Sequence, residues 1–130
     1  MTYAALTGSL AHRQSAESAL GIVASVGVEQ PRFLGWALAV AEALIAGPVE
    51  VAIVGEPSRA LSDVAWRLRP PGAVVVTGQP DAPGIPLLAA RPTVEGRPAA
   101  YVCRGMVCDA PVTEVAALRR QLAEPAPASS

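Results

Sequence analysis

The sequence predicts an α/β fold: an N-terminal helical hairpin, then a small, mostly parallel sheet with flanking helices, then a C-terminal β-hairpin plus helix. Helical periodicity dominates the start of the chain, two continuous apolar runs of strand length flank an amphipathic helix, and two further strand-like runs precede a last helix. The expected units are the helical hairpin at residues 1–48, the α/β domain at 49–123 and a disordered tail at 124–130.

Two segments predict the helical hairpin. In Leu10–Val28, apolar residues recur at steps of three and four and form one stripe. Arg32–Ala46 has Glu42 as its one ionisable residue after Arg32 and is otherwise apolar on every side. Such a helix is normally buried and is too short to cross a bilayer, so we expect it to need packing partners from outside the chain. The predicted interface residues are Phe33, Trp36, Leu38 and Leu44.

The pattern at the start of the α/β domain predicts a strand, a helix and a second strand. Val49–Gly55 and Ala73–Gly78 are continuous apolar runs, typical of strands buried on both faces. Between them, Pro57–Leu68 is amphipathic, and Ser58 or Glu56 is placed to cap its start. This order implies a right-handed parallel crossover.

The rest of the domain is predicted from shorter signals. Leu87–Ala90 reads as a short third strand, and Ala99–Cys103 and Met106–Asp109 read as two strands joined by a tight Arg104-Gly105 turn. Val112–Ala123 is the last helix. Its expected cap is Thr113 or Asp109.

Both cysteines lie in the predicted hairpin. A two-residue turn at Arg104-Gly105 makes Cys103 and Cys108 diagonal neighbours, about 7–8 Å apart. A disulfide spans about 4.4–6.8 Å between Cα atoms, so that register disfavours the bond. A four-residue turn would place the two cysteines directly opposite each other, at about 5.5 Å, where a bond is possible.

Three roles for Cys103 and Cys108 stay open: small structural residues, a reversible disulfide, or half of a metal site. The strand context favours the structural role, because a redox pair normally has a C-x-x-C spacing at a helix N-terminus. A zinc site needs two further ligands, for which His12 is the one strong candidate. We predict no catalytic residue, no metal and no cofactor.

A phosphate site is the remaining candidate for chemistry. Gly55–Ser58 joins a strand to a helix, which is where α/β folds bind phosphates. The segment lacks a G-x-G-x-x-G pattern, and Pro57 removes one amide donor, so an ordinary turn is favoured over nucleotide binding.

The composition argues against several classes of function. A net charge of −1 without a basic cluster disfavours nucleic acid as a partner. No apolar run reaches the roughly 18 residues of a membrane span, and the N-terminus lacks the pattern of a signal peptide. Two cysteines without an export signal fit the cytoplasm. Ten arginines and no lysine suggest a GC-rich, bacterial genome.

The stretch GRPAAYVCRGMVCDAPVTEVAALRRQL resembles the C-terminal end of the thioredoxin-domain-containing proteins of the spermatogenesis-associated type. The similarity includes the Ala-Tyr-Val-Cys start, the second cysteine five positions on, the Pro-Val pair and the closing helix. VEVAIVG, PLLAAR, the LTG-x4-R-x3-E-x2-L pattern and the Gly-Trp-Ala-Leu helix also look like that family, so the resemblance covers roughly Leu6–Leu122.

The resemblance implies that this chain corresponds to the end of a larger protein. Full members look like a thioredoxin-like domain followed by an α/α toroid similar to N-acylglucosamine 2-epimerases and six-hairpin glycosidases. This chain would hold the last helical hairpin of the toroid and the small α/β segment after it. It is therefore expected to be a non-catalytic module for packing or assembly, with a second copy or the missing helical portion as its partner. The alternative is a small thiol-redox protein that uses Cys103 and Cys108.

Overall fold

The computed structural model describes residues 2–27, 29, 31–105 and 107–124. It confirms the α/β class, with helices at the N-terminus and a β-hairpin and helix near the C-terminus. The helices are α1 (Thr2–Thr7), α2 (Leu10–Gly27), α3 (Gly35–Ala46), α4 (Arg59–Leu68) and α5 (Val115–Ala123), with 3₁₀ turns at Pro31–Phe33 and Pro86–Leu88. The strands are β1 (Val49–Val54), β2 (Val74–Gly78), β3 (Ala99–Arg104) and β4 (Val107–Cys108).

The four strands form one mixed sheet in the order β2-β1-β3-β4. β1 and β2 are parallel, whereas β3 runs antiparallel to β1 and β4 runs antiparallel to β3. The sequence predicted a mostly parallel sheet, and the difference arises after β2. Only α4 provides the long crossover that parallel strands need, and β3 enters the sheet from a turn-rich loop that lets it run the other way.

The predicted third strand at Leu87–Ala90 is wrong. Pro86 starts a 3₁₀ turn there, and a proline cannot donate to a strand ladder. Leu87 and Leu88 are nevertheless buried, with Leu88 0% exposed, because the turn pushes both side chains onto the sheet.

One face of the sheet packs against α4 and α5. Its buried side chains come from both strands and helices: Val51, Ile53, Leu61, Val64, Ala65, Ala100, Val102, Leu118 and Leu122. The Ser58 hydroxyl accepts the Leu61 N–H and caps α4, as the sequence predicted. The cap predicted for α5 is wrong: neither Thr113 nor Asp109 caps the helix, whose first flanking residue is Glu114 without a side-chain hydrogen bond. Val112 pairs with Ala100 instead, which delays the start of α5.

The other face of the sheet is covered by α1 and the Pro86–Leu88 turn. Ala52, Val54, Ala99 and Tyr101 form its strand side, with Ala5 and Leu6 of α1 packed against them. The Tyr101 hydroxyl donates to the Pro92 carbonyl at 2.8 Å, which satisfies it in the core. The predicted unit boundary at residue 48 falls between α3 and β1. α1 lies before this boundary but packs on the sheet that follows it.

α2 and α3 contribute little to the core. None of their described side chains is buried. α3 lies against the turn between α4 and β2. Gly72 in this turn has a φ of +75°, and a Cβ at this position would collide with the side chain of Ala43 on α3. None of the helices in the described part of the chain combines the length and apolarity that a bilayer-spanning segment needs.

Candidate functional site

Cys103 and Cys108 lie directly opposite each other and form a disulfide, with their Cα atoms 3.9 Å apart. Of the two registers considered, the one with a turn at Arg104-Gly105 is wrong, because Arg104 pairs with Val107, and the alternative in which the two cysteines are directly opposite each other is the pairing found. The Asp109 N–H donates to the Val102 carbonyl at 2.9 Å, so the neighbouring cysteine pair occupies the position where opposite side chains are closest. The cysteines are therefore a bonded cross-strand pair.

The two sulfurs differ in accessibility. Cys103 is 1% exposed and lies in the central part of the sheet. Cys108 lies on the two-residue edge strand β4 and is exposed. A reagent in solution can therefore reach the bond from the side of Cys108.

Arg91 places a positive charge next to both sulfurs. Its Nη2 lies 3.2 Å from Cys103 Sγ and 3.5 Å from Cys108 Sγ. Its Nη1 donates to the Leu87 carbonyl, which holds the guanidinium over the sheet. A cation at this distance stabilises a thiolate over a thiol.

Glu50 lies in the same row of the sheet as the disulfide. It pairs with Cys103 on one side and with Val74 on the other, and Cys103 in turn pairs with Cys108. Directly opposite residues direct their side chains to the same face, with Cβ atoms about 4.5–5.5 Å apart. Burial raises the pKa of the Glu50 carboxyl, although the charges of Arg91 and Arg13 work against that shift.

A cavity of about 160 Å³ connects Glu50 to the surface. It is lined by the turn between α1 and α2 at Gly8 and Ser9, by Arg13, and by Pro48. The carboxyl group therefore lies at the base of an opening and not in the sealed core.

The arrangement has the parts that thiol–disulfide exchange requires. It has an exposed cysteine, Cys108, for a thiolate to attack and a buried cysteine, Cys103, whose sulfur can leave as a thiolate. It also has a cation beside the leaving sulfur and a carboxyl group opposite it.

Arg104 links the cysteine hairpin to the end of α5. Its guanidinium is paired with Asp109 at 2.8 Å and donates to the Glu124 carbonyl at 2.9 Å and to the Gln121 carbonyl. Its side chain is 10% exposed. A positive charge at the C-terminus of a helix also interacts favourably with the helix dipole.

The other sequence candidates do not join this site. His12 shares a hydrogen bond with the Ser9 hydroxyl at 2.7 Å and lies against Tyr3. No group of three or more His, Cys, Asp or Glu side chains is placed to hold a metal ion within the described residues, so the metal alternative has no ligand set there.

The Gly55–Ser58 junction borders a cleft of about 300 Å³ at the carboxyl ends of β1 and β2. The Ser58 hydroxyl already accepts the Leu61 N–H, and Glu56 adds a negative charge to the same cleft. A phosphate would meet a capped helix and a carboxylate there, so the ordinary turn remains the better interpretation.

Of the predicted interface residues, Trp36, Leu38 and Leu44 lie on α3 and Phe33 lies in the 3₁₀ turn before it, and none of them is in the row of the disulfide. Trp36 is 88% exposed and Leu38 is 41% exposed, whereas Leu44 is partly buried on the inner side. The side chain of Phe33 lies outside the described residues. The structure adds Ile45, 87% exposed, which the sequence did not predict as an interface residue.

Sequence reasoning missed Glu50 and Arg91 as parts of the site. Glu50 had one usable signal, a charged residue inside the apolar run VEVAIVG. Arg91 had none, because the loop before β3 has no periodicity that places a side chain over a sheet.

Comparisons with known proteins add no relative: no protein-family model, no curated protein and no solved structure matches this chain.

Proposed function

We propose that this chain is a non-catalytic C-terminal module of a larger helical protein, and that it acts in packing or assembly through the outer surface of α3. One observation carries the proposal: α3 is apolar apart from Glu42, yet none of its described side chains is buried. The family resemblance of the sequence, with its α/α toroid, is consistent with helices that pack on this surface.

The outer surface of α3 is defined by Leu38, Glu42 and Ile45, and Trp36 is a further exposed apolar side chain on a different side of the helix. Leu38, Glu42 and Ile45 are spaced i, i+4, i+7 and so lie on one face of the helix. A tryptophan side chain alone buries about 150–250 Å² when it is covered. Apolar surface of this extent on one helix is typical of an interaction site.

The chemistry of this surface favours another helix as the occupant. Gly35 and Ala39 adjoin the exposed row and have little or no side chain, so a second helix can approach the backbone closely. The surface has a single charge, Glu42, between Leu38 and Ile45, and is otherwise apolar, as in interfaces that are depleted of charged residues. In the parent protein the occupant would be a neighbouring toroid helix, and in the isolated chain it would be the same surface of a second copy.

Self-association tests the proposal. Sedimentation of the isolated chain from about 1 μM to about 100 μM should show a monomer–dimer equilibrium. A double variant, Leu38→Glu with Ile45→Glu, should remain monomeric, because two charges would be buried without partners. Replacing Val107, which is 71% exposed on β4, by Glu is the matched control and should leave association unchanged.

A wild-type chain that stays monomeric over the whole range contradicts the proposal. So does a double variant that associates as strongly as the wild type. Loss of association in the Val107 control would show that the contact lies on the sheet edge and not on α3.

A second candidate function, thiol–disulfide exchange at Cys103–Cys108, is favoured by the position of Arg91 beside both sulfurs. The sequence also fits the cytoplasm, and in that compartment we propose that the bond forms and breaks as part of function. Cytoplasmic disulfides are usually transient and either catalytic or redox-sensing.

The second candidate predicts a reversible bond. After mild oxidation, alkylation and mass spectrometry should find neither thiol labelled, and treatment with dithiothreitol should expose both. Re-oxidation by glutathione disulfide should close the bond again within the same molecule. Two labelled thiols after oxidation would rule the candidate out, and a Cys103→Ser variant controls for labelling of Cys108 alone.

A further inference from the structure

The disulfide and Glu50 occupy one row on one face of the sheet, and Arg91 lies over the two sulfurs from the loop before β3, so the three groups can have separate roles in one reaction. We propose that Glu50 transfers the proton of the Cys103 thiol during exchange at Cys103–Cys108, while Arg91 holds the Cys103 thiolate and Cys108 meets the substrate. The inference rests on the thiol–disulfide candidate above and identifies the substrate class as dithiols and disulfides.

The accessibility of the two sulfurs sets the order of events. In the reducing direction, a substrate thiolate attacks the sulfur of Cys108, because Cys103 is 1% exposed. The Cys103–Cys108 bond breaks as a mixed disulfide forms between Cys108 and the substrate, and Cys103 leaves as a thiolate. The second thiolate of the substrate then attacks its own sulfur in the mixed disulfide, which releases Cys108 as a thiolate and the oxidised substrate.

The reaction balances as a two-electron exchange. The protein disulfide gains two electrons and two protons, and the substrate dithiol loses them. One of the two protons goes to Cys103, which is buried and has no direct access to solvent. In the proposed route it comes from the Glu50 carboxylic acid, which pairs with Cys103 across the sheet.

The surroundings of Glu50 suit this role. Burial raises the pKa of its carboxyl, so the acid form persists to a higher pH than that of an exposed glutamate. The charged and titratable groups around it are Arg91 above the sheet, Arg13 on α2 and the two cysteines. α1 contributes the uncharged residues Ala4 and Ala5 to the cavity over Glu50, and the turn after it contributes Gly8. That cavity of about 160 Å³ provides the opening through which the carboxylate can regain a proton from water.

Arg91 complements Glu50 electrostatically. Its Nη2 lies 3.2 Å from Cys103 Sγ, where it stabilises the negative charge that develops on the leaving sulfur while Glu50 transfers its proton. A neutral Glu50 carboxyl does not repel that thiolate, whereas an ionised one would. The same groups serve the reverse reaction, in which the Glu50 carboxylate accepts the Cys103 proton and the thiolate attacks the mixed disulfide on Cys108.

The test is the pH dependence of reduction by excess dithiothreitol, measured from roughly pH 5 to pH 9 by quenching with an alkylating reagent. Each rate is divided by the thiolate fraction of the reagent, which removes the reagent's own titration. In the wild type, the corrected rate should rise by about tenfold or more as the pH falls through the raised pKa of Glu50, which is the signature of a general acid. In Glu50→Gln, which is neutral but has no acidic proton to donate, it should be independent of pH and about tenfold or more below the wild-type rate at low pH.

Two further variants separate proton transfer from a structural role. Glu56→Gln removes a carboxyl group beyond the opposite end of β1 and should follow the wild-type profile. Glu50→Asp keeps an acid in the row, so its corrected rate should still depend on pH. A variant that is slow only because its packing is disturbed should show no such dependence. Circular dichroism and thermal unfolding confirm that each variant is folded.

The outcomes distinguish a failure of the role of Glu50 from a failure of the exchange site itself. A Glu50→Gln profile that superimposes on the wild type overturns the role of Glu50 and leaves the exchange site intact. A wild-type disulfide that dithiothreitol does not open at any pH removes the exchange site itself, and the role of Glu50 with it.

Discussion

Replacing Leu118 by alanine is expected to lower the free energy of unfolding by about 2–5 kcal/mol, the usual cost of truncating a fully buried leucine. Leu118 of α5 is 0% exposed and packs against α4 and the sheet. The loss combines the transfer energy of the removed atoms with the cavity that the surrounding side chains fail to fill. Urea titration followed by circular dichroism measures it from the shift of the midpoint.

The matched control is the same substitution at a more exposed site. Leu68 ends α4 and is 41% exposed, so Leu68→Ala should cost far less than Leu118→Ala. Equal losses at the two positions would show that α5 is not part of the core on this face of the sheet.

Arg104→Ala is expected to cost about 2–3 kcal/mol, which is large for a residue outside the apolar core. The substitution removes the ion pair with Asp109 and two hydrogen bonds to carbonyl groups at the end of α5. Asp109 keeps part of its hydration, since its side chain is 36% exposed, which limits the cost of leaving it unpaired. The last turn of α5 should fray, and amide exchange near residues 121–124 should become faster.

Two variants control for this prediction. Arg119→Ala removes an exposed arginine from the same helix and should change stability by less than about 0.5 kcal/mol. Arg104→Lys keeps the charge but lacks the branched guanidinium, so it should recover only part of the loss. A full recovery by lysine would mean that charge alone, and not the pair of carbonyl contacts, holds the hairpin to α5.

The helices and the central strands were predictable because their signals are local. Periodicity predicts the start of α2, Gly47-Pro48 predicts the end of α3, and a continuous apolar segment predicts β1. Ser58 was identified as a cap because a serine before a helix satisfies an orphan amide wherever the helix is placed. These features depend on a few neighbouring residues only.

The hairpin shows where local signals stop being sufficient. Arg104-Gly105 has the composition of a tight turn, yet the turn starts one residue later, at Gly105 with a φ of +63°. Shifting the turn by one residue changes the partner of every residue on both strands. The register with a turn at Arg104-Gly105 separates Cys103 from Cys108, whereas the observed register pairs them, as in the alternative that the sequence left open.

The candidate redox site was harder to predict than the hairpin. Cys103 and Cys108 are close in sequence, but Glu50 enters the site through the pairing of β1 with β3 and Arg91 through the loop that precedes β3. Neither contact has a local pattern, because strand order and loop path are set by the packing of the whole sheet.

Local patterns in the sequence are sufficient to predict most of the helices and strands, the apolar face of α4 and the apolar character of α3 on every side. The mixed order of the sheet, the pairing of the cysteines and the placement of Glu50 and Arg91 beside them follow from tertiary packing. The reason is physical: periodicity and capping act between residues a few positions apart. Strand pairing and side-chain rows depend instead on which distant segments bury each other's surface most completely.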